Sequence, residues 1–296
     1  MSAATRFGAT MSRVRSRFDS RWRHSTQWLR ARRGPRLAVP PATPVVVEKH
    51  ADGVVEIRLT AGDRRNVLGR STIDRLEELV ASPPHGTKVI VITAEPPDFC
   101  AGYDLVEASR SSPQDLIAHE DNFVPLRAST IPIVVALTGN VIGGGLELAL
   151  SADIRIAAPG TRFAIPAAKL GLVYSEAGIR LVRDAVGESV ARAMFLGGRD
   201  LSAEAAVTLG LVTEVVSREQ VRERALEYAA AMASWSFTAA TGNRQILDAV
   251  AGRVEVDTGR LRLSSFEPHG DLAHSIAAFV KRRAQAPGGL VDKNPH

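Results

Sequence analysis

The chain has 296 residues, 45% of them apolar, which suits one large globular domain or one domain with an appendage. Its net charge of +5 is uneven: residues 1–40 hold ten arginines against Asp19 alone, a charge of +9, so the remainder sits at −4. No apolar run reaches the ~18 residues of a membrane span; Cys100 is the single cysteine, which excludes an intrachain disulfide, and without CxxC or HExxH spacing no metal site is expected.

Residues 1–43 form a basic N-terminal extension, rich in Arg and Ser/Thr and closed by a Pro-rich linker, with no sustained apolar face. Such a composition predicts disorder. It also fits a transit peptide, a polyanion-binding tail, or a dispensable extension or misplaced start. Arginine outnumbers lysine 32 to 5, a bias of GC-rich genomes. We therefore expect a bacterial cytoplasmic protein, or a mitochondrial-matrix one if the extension is a transit peptide. Nucleic-acid binding is considered for the extension only.

From Pro44 the pattern changes. Val45–Val47 and Val54–Leu59 flank an Ala-Asp-Gly turn and predict a hairpin. Ser71-Thr72 opens a run with Ile73, Leu76, Leu79 and Val80 at helical spacing. Lys88–Thr93, Ile133–Leu137 and Ile154–Ala157 read as buried strands separated by helix candidates, which argues for a parallel sheet covered by helices. Beyond residue 176 the chain is mostly helical, over 177–186, 188–196, 202–210, 218–234, 236–252 and 271–284, with one short strand at Val212–Val216. The organisation read from this is a core over 44–240 and a helical C-terminal region over 241–296.

Two glycine-bearing turns follow strands: Phe99-Cys-Ala-Gly-Tyr-Asp-Leu and Gly143-Gly-Gly-Leu-Glu. Neither is G-x-G-x-x-G, and no Gly-Lys-Ser/Thr follows, so dinucleotide and P-loop readings are weak. Two turns leaving two strands can aim two backbone N–H groups at one point, the requirement of an oxyanion hole. Alternatively the glycines only permit close helix–strand packing.

These turns, with DRRNVLG, IPIVVALTGNVIGGGLELALSADIRIA, RFAIPAAKLGL, LSAEAAVTLGLVTEVV and AAFVKRR in this order, resemble the crotonase (enoyl-CoA hydratase/isomerase) superfamily over roughly residues 44–285. The resemblance implies an α/β fold, a spiral of ββα units with a helical C-terminal trimerisation region. It implies acyl-CoA thioester substrates, with coenzyme A as part of the substrate and no separate cofactor, and a homotrimer or dimer of trimers. By motif position, the oxyanion hole is the backbone N–H groups of Tyr103 and Gly144, and Glu147 is the first catalytic carboxylate. Coenzyme A falls to Ala101, Gly102 and Asp104 of the first turn, with Arg64, Arg65 and Arg282 as phosphate partners or ordinary surface charge.

The chain departs from the family where a second glutamate is expected: Phe163-Ala-Ile-Pro-Ala puts Ala167 there. Alanine cannot transfer a proton, and syn addition of water needs one group to activate water and another to deliver a proton. The following loop, Val173-Tyr-Ser-Glu-Ala-Gly, offers Glu176 as a substitute acid. It also offers Tyr174, which resembles a tyrosine of the methylmalonyl-CoA decarboxylase branch; either side chain can instead pack or face solvent. The leading expectation is an acyl-CoA enzyme that stabilises a thioester enolate. A malonyl-type acyl-CoA decarboxylase, and a weakly catalytic or non-catalytic acyl-CoA- or RNA-binding protein, are the alternatives.

Overall fold

The computed structural model describes residues 44–112, 122–268 and 270–285. The extension 1–43 lies outside them, and with it every expectation placed there. The hairpin forms as expected: β1 (Val45–Lys49) pairs antiparallel with β2 (Val54–Leu59). Asp52 and Gly53 turn between them at φ 59° and 84°. From β2 the sheet continues in parallel through β3 (Val89–Ala94), β4 (Ile133–Leu137), β6 (Ile154–Ala157) and β9 (Glu214–Val215).

The apolar strands are continuous because both faces of this sheet are covered. Val55, Ile57, Ile90, Ile92, Val135 and Leu137 face one core, which receives Ile73, Leu76, Leu79 and Val80 of α1 (Arg70–Ala81). Their neighbours Val54, Val89, Val91, Val134, Ala136 and Ile156 face the other. There α9 (Val221–Ala233) lies across the sheet on Val221, Ala225, Ala229 and Ala233, one residue per turn. Small side chains at that spacing let the helix approach closely.

A second sheet was not anticipated. β5 (Asn140–Ile142) pairs parallel with β7 (Arg162–Ala164), which pairs antiparallel with β8 (Leu201–Ser202). Strands of two or three residues are too short to show a period of two. The chain alternates between the sheets, β4 to β5, then α4 (Gly144–Leu150), then β6 to β7. This repeated strand–strand–helix unit is the spiral expected from the resemblance. Single bridges, Leu68 to Tyr103 and Cys100 to Val141, extend the second layer towards the front of the chain.

Shorter helices are α2 (Leu105–Ala108), α3 (Val124–Arg127) and α5 (Ala167–Leu170). The C-terminal half adds α6 (Glu176–Val186), α7 (Glu188–Phe195), α8 (Ala203–Thr208), α10 (Phe237–Val250), α11 (Thr258–Ser264) and α12 (Asp271–Gln285). Residue 240, where the sequence placed the end of the core, lies inside α10. That helix is tied to the core by the buried Arg244, which donates to Asp153 at 3.0 Å and to the carbonyl of Leu126 at 3.2 Å. α11 had no counterpart in the sequence reading. No described helix is long and apolar enough to cross a membrane.

Candidate active site

The two glycine-bearing turns meet at the second sheet. Cys100 N–H donates to Asn140 O and Ile142 N–H to Cys100 O, each at 3.0 Å, so residues 99–101 run beside β5. On the other side Leu68 N–H donates to Gly102 O at 2.8 Å and Asp104 N–H to Leu68 O at 3.0 Å. With Gly102 O and Asp104 N turned to Leu68, the N–H of Tyr103 faces the opposite edge. Gly144 lies there: a Cβ added to Gly102 would stand 3.9 Å from Gly144 N. Among the described residues neither Tyr103 N–H nor Gly144 N–H donates a backbone hydrogen bond.

Two glycines explain how the turns come so close. Gly102 has φ +101°, a conformation that side-chain-bearing residues rarely adopt. At Gly145 a Cβ would lie 2.6 Å from Cys100 O and 2.7 Å from Cys100 Cβ, so only hydrogen fits. The glycines thus serve close packing, and that packing brings the turn carrying Tyr103 against Gly144.

Every residue of α4 is buried, including Glu147. Burial raises its pKa above the ordinary carboxylate value, opposed by a hydrogen bond from Tyr174, the charge of Arg127 and a hydrogen bond from Tyr103. The hydroxyl of Tyr174 donates to Glu147 Oε1. The Tyr174 ring packs on Phe195, edge to face at 5.2 Å, and on Gly178, where a Cβ would lie 2.6 Å from Cε1. Tyr103 lies on the other side. Its ring covers Gly144, with Cε2 and Cζ each 2.7 Å from where a Cβ would stand, and Asn122 hydrogen-bonds its hydroxyl. Burial first, then the charge of Glu147, pushes both phenols up, so both are neutral donors at ordinary pH.

Glu176 is not brought into this group. Ser175 caps α6 by accepting from Gly178 N–H, which makes Glu176 the first helical residue and turns it outward. Its side chain is 74% exposed and pairs with Arg180 at 2.9 Å. Ala167 is buried at the start of α5, its methyl part of the core.

The predicted coenzyme A residues divide. Arg64 pairs with Asp104, which accepts from Val106 and Glu107 N–H and caps α2. Asp104 is therefore engaged in holding the turn; these backbone donors and Arg64, against a smaller opposing effect of burial, keep its carboxyl below the usual range. Ala101 N–H bonds Arg65 O at 3.0 Å, and Arg65 Nε lies 3.8 Å from Asp98. Arg64, Arg65, Ala101, Gly102 and Asp104 thus form one edge beside Tyr103. Arg282 is exposed in the last turn of α12, and none of its described contacts reaches that edge.

Sequence reasoning missed Asn122 and Arg127, which lie outside the quoted motifs. It also missed why DRRNVLG carries an asparagine. Asn66 is buried at φ 50°, donates to the carbonyls of Glu95 (2.7 Å) and Asp98 (2.8 Å), and accepts from Ala61 N–H. It clamps the loop before Tyr103.

Known proteins share this architecture. The profile of the family described as Enoyl-CoA hydratase/isomerase matches residues 49–286. The 2,3-dehydroadipyl-CoA hydratase of Escherichia coli is 30% identical over 240 residues, 78% of this chain and 93% of that protein. The rat mitochondrial Enoyl-CoA hydratase domain-containing protein 3 is 33% identical over 211 residues, 68% of this chain and 69% of that protein. The solved structure of DspI from Pseudomonas aeruginosa superposes with a TM-score of 0.75 at 26% identity, covering 84% of this chain and 98% of that one. The chain belongs to the enoyl-CoA hydratase/isomerase family of the crotonase superfamily and is an acyl-CoA enzyme of that family.

Proposed function

We propose that this member of the family forms a thioester enolate with one working carboxylate, and that proton transfer within the acyl group, as in a 3-enoyl to 2-enoyl-CoA isomerisation, suits it better than hydration. One observation carries the reading. Among the described residues that meet at Gly144, Glu147 is the single carboxylate, hydrogen-bonded by two neutral phenols with the charge of Arg127 nearby.

The chemistry follows from that arrangement. The thioester oxygen accepts from Tyr103 N–H and Gly144 N–H; one such donor is commonly worth about 3 kcal/mol of barrier. Ionised Glu147 takes a proton from the carbon next to the carbonyl. The electron pair moves onto the thioester oxygen as an extended enolate. Protonated Glu147 returns the proton two carbons further along, and the double bond has moved. One group suffices because the proton is only relocated. Hydration needs a second group for water, and the apolar Ala167 cannot be it. Glu176, exposed and paired with Arg180, supports no substitute role. In the decarboxylase reading Tyr174 would steady a departing carboxylate, but its hydroxyl is bonded to Glu147.

Arg64 and Arg65 sit at the edge where coenzyme A phosphates would lie. The apolar side chains exposed on α12 (Ile276, Phe279 and Val280) support self-association into a trimer. The deciding experiment compares 3-enoyl-CoA isomerisation, 2-enoyl-CoA hydration and malonyl-type decarboxylation on the full chain and its Glu147→Gln variant. Isomerisation lost in the variant is the expected result. Hydration faster than isomerisation in the wild type would overturn the one-carboxylate reading.

A further inference from the structure

Tyr103 brings its side chain, as well as its backbone N–H, to the site. The ring does not point away from the site. It lies across Gly144, whose added Cβ would meet Cε2 and Cζ at 2.7 Å. The hydroxyl reaches the buried Asn122 and the carboxylate of Glu147. The ring therefore walls the site along one side, from Gly144 to Glu147. Tyr174 stands at the carboxylate as a second aromatic wall, fixed by Phe195 and Gly178.

The Tyr103 backbone is also held on both sides. Leu68 brackets it through Gly102 O and Asp104 N, and Asp104 is pinned by Arg64 and by the N-terminus of α2. A ring on so fixed a turn, with its far end bonded to a buried amide, is a standing wall and not a flap.

We propose that the side chain of Tyr103 is the specificity-determining residue of this site: it occupies the path that a long straight acyl chain would take past Glu147 and restricts the enzyme to short acyl-CoA thioesters. This rests on the acyl-CoA reading above. The physical cost is steric. A methylene that finds no room, or gains room, changes discrimination by about tenfold or more.

The test is a binding measurement that does not depend on turnover. Isothermal titration of butyryl-CoA and of dodecanoyl-CoA, both saturated and unreactive here, is performed on the full-length wild type and on Tyr103→Ala, Tyr103→Leu and Tyr103→Phe. The wild type should favour butyryl-CoA. Tyr103→Ala should shift the ratio towards dodecanoyl-CoA by about tenfold or more. Tyr103→Leu, which retains apolar bulk, should shift it less and serves if the alanine variant does not fold. Tyr103→Phe keeps the ring and should keep the wild-type ratio. Equal or tighter binding of dodecanoyl-CoA by the wild type, or an unchanged ratio in the alanine and leucine variants, overturns the role of Tyr103 alone. Failure of both thioesters to bind the wild type overturns the acyl-CoA reading and this inference with it.

Discussion

Glu147 and Glu56 are both buried carboxylates in the same chain, and their surroundings push them in opposite directions. Glu147, on α4, is hydrogen-bonded by neutral phenols with the charge of Arg127 nearby, and burial still prevails: its pKa is raised. Glu56, on β2, suffers the same desolvation but is overruled. Arg222 binds it twice, at 2.8 and 2.6 Å, Thr93 donates at 2.6 Å and His50 lies at 3.0 Å, so its pKa is lowered. A cation bonded twice to the carboxylate, with a hydroxyl, makes a fixed structural ion; two phenols and the charge of Arg127 do not outweigh burial and leave a proton acceptor whose charge is only partly supported. Burial alone does not mark a reactive carboxylate; the groups hydrogen-bonded to it, a guanidinium at Glu56 and phenols at Glu147, make the difference.

The comparison can be broken at either end. Glu147→Gln should have the largest effect, a fall in turnover of about 10²–10⁴ in an acyl-CoA proton-transfer assay. The fold should survive, because burial makes the ionised carboxylate costlier in the folded chain than in the unfolded one. A raised carboxyl pKa costs stability above the folded pKa, and that cost fades as pH falls through it. Urea unfolding at neutral pH should therefore find the variant no less stable than the wild type; a clear loss would make Glu147 a structural ion like Glu56.

At the other end, Arg222→Met strips Glu56 of its cation while leaving the carboxylate buried. We expect a loss of about 1–2 kcal/mol in urea unfolding at neutral pH, less than for a fully buried pair because Arg222 is half exposed, with the catalytic pH profile unmoved. Glu56 has a lowered pKa, so its stabilisation is present above the unfolded value and disappears as pH falls through the folded one. The gap between variant and wild type should close in acid. A gap independent of pH would mean that Arg222 acts by packing.

Two further substitutions sharpen the contrast. Gly145→Ala places a methyl against Cys100 and should cost about 1–3 kcal/mol in thermal or chemical unfolding. It should also lower turnover, since the two N–H groups depend on that approach. Tyr174→Phe is gentlest: it removes a donor that lowers the Glu147 pKa. Activity that needs ionised Glu147 falls as pH drops through that pKa, so the acid limb of the rate profile should move to higher pH. A limb that stays or moves down would break the assignment of Glu147 as its source.

Much of this was legible in the chain. β3 and β4 are near-continuous apolar runs, β2 is set off by its turn, and α1 announces itself through Ile73, Leu76, Leu79 and Val80. The glycine turns could be paired because each follows a strand. The second sheet was not legible: β5, β7 and β8 are short, and what joins them is backbone hydrogen bonding, which any residue can supply. Glu176 looked available because an acid was missing nearby. Its direction is set by the Ser175 cap, which decides which way the first turn of α6 faces.

The sequence by itself determined which residues have chemistry to offer. It placed glycine where no side chain fits, one carboxylate after the glycines, and alanine where a second acid would stand. These are properties of residue type and spacing. Only the tertiary structure decided what Glu147 is bonded to. Tyr174 lies 27 residues further along the chain, and Tyr103 on a different strand's turn. Both are carried to the same carboxylate by packing on Phe195, Gly178 and Gly144. Proton affinity depends on such neighbours, and neighbours distant in sequence exist only once the chain has folded.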